Sequence, residues 1–154
     1  VVNMNDLMEI DGEFLVSRCC LDGDLEGCLF AIFDRKNGFD LIDLMFFREK
    51  VTLKQIDEDS KGAFNEMLNV VGGCYLNSLA DMLNIRLMPK PPVFGIGKLK
   101  DIRDSVFKEI IAADDVLFID TTFTIDGEEL YGQIFLVLDK KSNEKVLEMI
   151  GNKQ

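Results

Sequence analysis

The sequence predicts an α+β fold: a pseudo-two-fold duplicated domain whose antiparallel sheet is made of two hairpin units and packed by long helices. Two observations predict it. The first is an internal repeat. Asp22-Gly23-Asp24-Leu25-Glu26-Gly27 leads into the apolar run Cys28-Leu29-Phe30-Ala31-Ile32-Phe33 and then Asp34-Arg35. Later, Asp126-Gly127-Glu128-Glu129-Leu130-Tyr131-Gly132 leads into Gln133-Ile134-Phe135-Leu136-Val137-Leu138 and then Asp139-Lys140. An Asp-Gly pair between apolar runs is a hairpin signal, because both residues tolerate the positive φ of tight turns. The second observation is a helical pattern over 59–84. There Phe64, Met67, Leu68, Val71, Tyr75, Leu79, Met82 and Leu83 recur at three- and four-residue steps and form one stripe suited to packing on a sheet.

In chain order, the hairpins predict strands over 13–21 and 27–33, then over 116–125 and 132–138. A short helix closes each unit, with Phe39, Leu41, Ile42, Leu44 and Met45 in the first and Val146, Leu147, Met149 and Ile150 in the second. The long helix is capped by Asp59 or Ser60 and ends at Asn84. Pro89, Pro91 and Pro92 then mark a turn or edge segment. A shorter helix is predicted over 101–111, with Ile102, Val106, Ile110 and Ile111 as its apolar face. Residues 1–154 thus read as a single domain, 1–50 being a first, incomplete unit and 51–154 the second. By the symmetry of the repeat a long helix should precede Val1, and its loss or truncation is expected.

Composition narrows the chemistry. The 154 residues are 47% hydrophobic, with twelve Phe and no Trp, enough for a real core. A formal charge of −11 argues against a nucleic-acid surface, which needs clustered Lys and Arg, and against a polybasic membrane anchor. With no His in the chain, a Ser-His-Asp triad and a His general base are excluded. Cys19 and Cys20 point to opposite faces of a strand, no CxxC spacing occurs, and no metal site is expected. Cys19, Cys20, Cys28 and Cys74 read as buried free thiols of a reducing, cytoplasmic compartment. Gly95-Ile96-Gly97-Lys98 lacks the spacing of a phosphate loop and reads as a turn. The pairs Asp114-Asp115 and Glu128-Glu129 read as solvated turns.

On the long helix, Gly62, Glu66, Asn69 and Gly73 fall close together, opposite the apolar stripe. Glycine inside a helix costs roughly 1 kcal/mol relative to alanine. Either this is a solvated face, or the small residues let another backbone approach Glu66 and Asn69.

The segment from Phe64 through Glu66, Asn69 and Gly72-Gly73-Cys74-Tyr75-Leu76-Asn77 to Leu79 resembles the signature helix of the CheC, CheX and FliY phosphatases. That signature has Asp or Ser, three residues, Glu, two residues, Asn, and Pro after a further 22. Glu66, Asn69 and Pro92 fit the spacing; Gly62 stands where the family has Asp or Ser. Asp24-Leu25-Glu26-Gly27 and Phe123-Thr124-Ile125-Asp126-Gly127-Glu128 follow the family as well. The resemblance implies a hydrolase that removes the aspartyl phosphate of a CheY-type chemotaxis response regulator. Asn69 would hold the attacking water and Glu66 would pair with the regulator's Lys, as the catalytic residues. Gly62, Gly73 and Pro92 would contact the substrate protein. No cofactor is expected on this chain, the Mg²⁺ belonging to the regulator. The resemblance also admits a non-catalytic adaptor for a regulator or a CheD-type receptor deamidase, and a fragment of a FliY-like flagellar switch protein.

Overall fold

A computed structural model of the chain describes residues 9–106, 117–125 and 127–152. Strands β1 (Phe14–Gly23) and β2 (Gly27–Asp34) are followed by helix α1 (Arg35–Met45) and the 26-residue helix α2 (Glu58–Leu83). Then come β3 (Leu87–Pro89), β4 (Val93–Gly97), helix α3 (Leu99–Val106), β5 (Leu117–Ile125), β6 (Glu128–Leu138) and helix α4 (Lys140–Asn152). The sheet order is β3-β1-β2-β6-β5, with β4 also on β1, and every pairing is antiparallel. The two predicted hairpins meet through β2 and β6, each leading into a helix.

Alternation along the strands separates two cores. Leu29, Ala31 and Phe33 of β2 join Leu15, Cys19 and Leu21 of β1 beneath α1 and α2. Cys28, Phe30 and Ile32 face the other way, with Val16, Phe135 and Val137, against Leu99 and Ile102 of α3. This period-two split is what a central strand buried on both faces produces. Residues 107–111 of the predicted shorter helix, Val116 and the Asp114-Asp115 pair lie outside the described residues.

Several expectations are corrected. The first hairpin forms, but Asp22 and Gly23, expected between its strands, belong to β1. Cys20 opposes Cys28, and β1 runs on so that Asp22 and Gly23 pair with Met88 and Leu87 of β3. Gly23 has φ +126°, and a Cβ there would collide with the Arg86 carbonyl. Asp24 clamps the same residue reciprocally: its N–H donates to the Arg86 carbonyl (2.9 Å), and its carboxylate accepts from the Arg86 N–H (2.8 Å). In the second hairpin Ile125 pairs directly with Glu128, and Gly127 has φ +80°; Asp126 lies outside the described residues. Gly95, Ile96 and Gly97 are in β4, paired with Val16, Leu15 and Phe14, rather than in a turn. Glu128-Glu129 begins β6, and Glu128 pairs with Lys50 at 2.6 Å.

The cysteines also depart from the expectation of four buried free thiols. Cys20 and Cys28 face each other across β1 and β2 and are joined as a disulfide, their Cα atoms 3.9 Å apart. Cys74 is free and exposed on α2, and only Cys19 is a buried free thiol. Burial pushes the Cys19 thiol up to about 11.

Between α1 and α2 the chain is fastened by carboxylates. Asp43, wholly buried, accepts from Arg48 Nε (3.0 Å) and from the N–H groups of Thr52 (2.9 Å) and Leu53 (3.0 Å). Asp40 accepts from the Val51 N–H (3.1 Å) and from Lys36 (3.2 Å). The clasp holds Phe47 and Val51 at φ +59° and +68°. No helix among the described residues is long and apolar enough to cross a membrane.

Candidate functional site

The site is a face of α2. Asp57, rather than Asp59 or Ser60, caps the helix: its carboxylate accepts from the Ser60 N–H at 2.7 Å. Hydrogen bonding from the Ser60 side chain, and then from its backbone N–H, holds the Asp57 carboxyl below its usual range. Ser60 is buried. At the other end Asn84 takes the left-handed conformation, φ +54°, which an asparagine adopts at small cost.

The buried seam of α2 is Ser60, Phe64, Leu68, Gly72 and Leu76, with Met67 and Leu83 beside it. Steps of four turn about 40° around the helix each time, and such a row is inclined about 26° to the axis. The helix therefore crosses the sheet obliquely. The straight stripe predicted from sequence holds at Phe64, Met67 and Leu68. Farther along, Val71, Tyr75 and Leu79 pack half-buried against the core and Leu83 is buried, but Met82 is 52% exposed, while Leu76 and Gly72, outside the predicted stripe, are buried. Phe64 fixes the N-terminal half. Its ring meets those of Phe33 and Phe94 edge-on, both at 5.6 Å between centroids.

Away from this seam the predicted residues Gly62, Glu66, Asn69 and Gly73 share one flank. Gly62 and Glu66 are exposed; Asn69 and Gly73 are half-buried. A Cβ added at Gly62 or Gly73 would meet nothing within 4 Å. Gly72 is the opposite case: a Cβ there would come within 2.6 Å of Leu29 Cδ2. Val70, 58% exposed, adds an apolar side chain next to Asn69. Among the described residues, neither Glu66 nor Asn69 spends its side chain on an internal hydrogen bond or ion pair. Pro92 is not on this flank. It lies in the link between β3 and β4 on the outer edge of β1, two residues before Phe94, whose ring touches Phe64.

Three features escaped the sequence reading. The Asp57 cap was legible, since an Asp three residues before Ser60 is an N-cap pattern. The Asp40 and Asp43 clasp was signalled by acidic residues inside an otherwise apolar helix face. The hydrogen bond from Ser17 Oγ to Asn65 Oδ1 (2.6 Å) left no signal, because it depends on which strand lies beneath the helix.

Chemically, the flank offers a free carboxylate and a free amide three residues apart on a rigid helix, with glycines either side. An amide can donate to one group and accept from another without adding charge.

No protein-family model matches the chain. Among curated proteins, the CheY-P phosphatase CheC of Bacillus subtilis (strain 168) is 24% identical over 136 residues. The match spans 85% of this chain and 65% of that protein, so the chain accounts for under two thirds of its relative's length. Among solved structures, Thermotoga maritima FliY superimposes with a TM-score of 0.77 at 23% identity, covering 99% of this chain and 78% of FliY. The CheX–CheY–BeF3–Mg complex of Borrelia burgdorferi gives a TM-score of 0.50 at 14% identity, covering 88% and 89%. In fold the chain is similar to FliY, and in sequence it is similar to CheC. The FliY likeness concerns the fold; the CheC match adds sequence. The α2 flank carries Glu66 and Asn69, the residues whose spacing resembles the CheC, CheX and FliY signature.

Proposed function

We propose that the chain is a phosphatase for the aspartyl phosphate of a CheY-type chemotaxis response regulator, working from the single flank of α2. The observation that carries the reading is the pairing of an unengaged Glu66 with an unengaged Asn69 on a glycine-flanked face. The named activity of the related CheC and the CheY partner of the related CheX agree with it.

In this mechanism the regulator brings its own phospho-Asp, Mg²⁺ and Lys. Asn69 enters the regulator's active site and holds a water in line with phosphorus, its carbonyl accepting a hydrogen bond from that water and its NH₂ donating to a phosphoryl oxygen. Such positioning is the main resource in phosphoryl transfer, where little covalent chemistry falls to the catalyst. Glu66 pairs with the regulator's Lys and sets the register between the proteins. Gly62 and Gly73 let the regulator's backbone approach, and Pro92 shapes the sheet edge beside the N-terminal half of α2. The site needs no metal on this chain.

The test is the decay of a phosphorylated CheY-type regulator with and without the protein. Asn69→Ala should abolish the acceleration with the fold intact. Glu66→Ala should chiefly raise the concentration needed for half-maximal effect. Faster decay that survives Asn69→Ala would sink the mechanism.

A second reading is favoured by one observation: Gly62 is exposed and bare where the family has Asp or Ser. On that reading the chain is an adaptor that binds a regulator or a CheD-type deamidase without hydrolysis. Regulator binding without faster decay would select it.

A further inference from the structure

We infer that the part-buried hydrogen bond between Ser17 and Asn65 sets the rotation of α2 about its axis, aiming Glu66 and Asn69 outward. Ser17 and Asn65 are thus positioning residues for the activity proposed above, on which this inference rests.

Ser17 lies in the row of β1 that faces the helices, between Leu15 and Cys19, and is wholly buried. An apolar residue there would satisfy packing alone. The hydroxyl must instead find a partner, and it finds Asn65 on α2, 48 residues away in sequence. Ser17 also pairs with Phe94 of β4, whose ring touches Phe64. The bond therefore sits where β1, β4 and α2 meet, beside the residue that precedes Glu66.

Apolar packing is non-directional, so a helix lying on leucines and phenyl rings is weakly held against rolling. A hydrogen bond is directional. Asn65 and Asn69 are one turn apart and separated by about 40° on the helix. A roll of that size would turn Asn69 to the angle at which Asn65 now faces β1, one turn farther along the helix. With side chains reaching about 5–6 Å from the axis, a roll of only 10° moves their tips by roughly 1 Å. A misplacement of that order can cost about 100-fold in rate where a catalyst works by orientation.

The experiment uses the full chain and a regulator phosphorylated by a small-molecule phosphodonor. Decay is followed over a range of phosphatase concentrations, to separate the maximal rate from the half-saturating concentration. Ser17→Ala and Asn65→Ala should each lower the maximal rate by at least about tenfold while retaining cooperative unfolding. The double variant should be no worse than either single. Asn65→Asp, which keeps an acceptor oxygen for the Ser17 hydroxyl, should restore most of the rate. Full maximal rates in both single variants, with an active wild type, would overturn the inference. A wild type that does not accelerate decay would remove the proposed activity; the crystal structure of the Ser17→Ala protein then decides. A helix turned at Glu66 and Asn69 supports the indexing role, and one superimposable on the wild type refutes it.

Discussion

Adjacent glycines at the centre of α2 should respond oppositely to the same added methyl group. Replacing either by alanine removes backbone freedom from the unfolded chain and improves helix propensity, worth about 0.8–1 kcal/mol. At Gly73 nothing opposes this gain, because the new Cβ meets no atom within 4 Å. Gly73→Ala should therefore stabilise the protein by about 1 kcal/mol, or about 2–4 °C in Tm for a chain of this size. At Gly72 the Cβ would stand 2.6 Å from Leu29 Cδ2 and 3.4 Å from Leu68 Cδ1, and both leucines are almost wholly buried. Overpacking of that kind costs about 1–3 kcal/mol. The propensity gain is common to both sites, so the difference between the variants isolates the packing cost. Urea unfolding followed by far-UV circular dichroism measures both. Equal stabilisation of the two variants would show that the oblique seam through Gly72 is wrong. The same Gly73→Ala protein tests the docking role: a methyl on the open flank should weaken regulator binding while the fold gains stability. Unchanged binding would leave Gly73 a solvated glycine only.

The remaining predictions concern the supports of this helix and the cysteines. Asp43→Ala should lower stability by about 3–5 kcal/mol, because it leaves the buried end of Arg48 and two backbone N–H groups without their acceptor; a loss under 1 kcal/mol in urea unfolding would refute the clasp. The Asp57 and Asp139 carboxyls are both held low, chiefly by hydrogen bonds from Ser60 and Ser142. A carboxyl depressed in the folded state contributes stability above its unfolded value, near 3.9, and that contribution fades as pH falls through the lower folded value. Stability should therefore drop on acidification below about pH 4, and the drop should be smaller in an Asp57→Asn, Asp139→Asn double variant; identical acid profiles would refute it. With Cys20 and Cys28 joined, native protein should show one fast-reacting thiol, Cys74, and a slow one, Cys19, shielded by burial and its raised pKa. Fast reaction of Cys20 or Cys28 before any reductant is added would mean that the pair is open.

What was legible in the sequence follows from the range of the interactions involved. Hairpins and helices announce themselves locally, so the repeat, the two closing helices and the long helix could all be read from spacing. The Gly62–Gly73 flank was legible for the same reason: 100° per residue places those positions together whatever lies beneath. What could not be read depends on contacts between distant segments. The expected end of the first strand at Leu21 fell two residues short because nothing local reveals that β3 captures Asp22 and Gly23. The stripe on α2 drifted from the predicted one because the angle between helix and sheet comes from the sheet. The spacing places Leu147 on the apolar face of the closing helix, yet it is 70% exposed, while Ser142 is buried and accepts from the Glu26 N–H. There a polar contact to the first hairpin overrode hydrophobicity.

The same non-local contacts explain why α2 is suited to hold the proposed pair, Glu66 and Asn69. A helix presenting two side chains to a partner has to resist sliding, tilting and rolling, and each motion meets a different restraint. Sliding is opposed by Gly72 over Leu29, where the backbone sits too close for even a methyl group. Tilting is opposed at the two ends. The clasp of Asp40 and Asp43 leads straight into the Asp57 cap, and the Asp24–Arg86 clamp grips the chain three residues after Leu83. Rolling is opposed by the polar contact of Ser17 with Asn65. Orientation within about 0.5 Å is the usual requirement for a working site, and only a helix fixed in all three ways meets it without help from the partner. On this argument, cutting the clasp should act mainly on the N-terminal turns of α2 and so on Glu66, whereas Ser17→Ala should turn Glu66 and Asn69 together. Asp43→Asn should therefore raise the half-saturating concentration more than it lowers the maximal rate, and Ser17→Ala should lower the maximal rate more. Matching kinetic profiles for the two variants would show that the helix moves as one loosely held body.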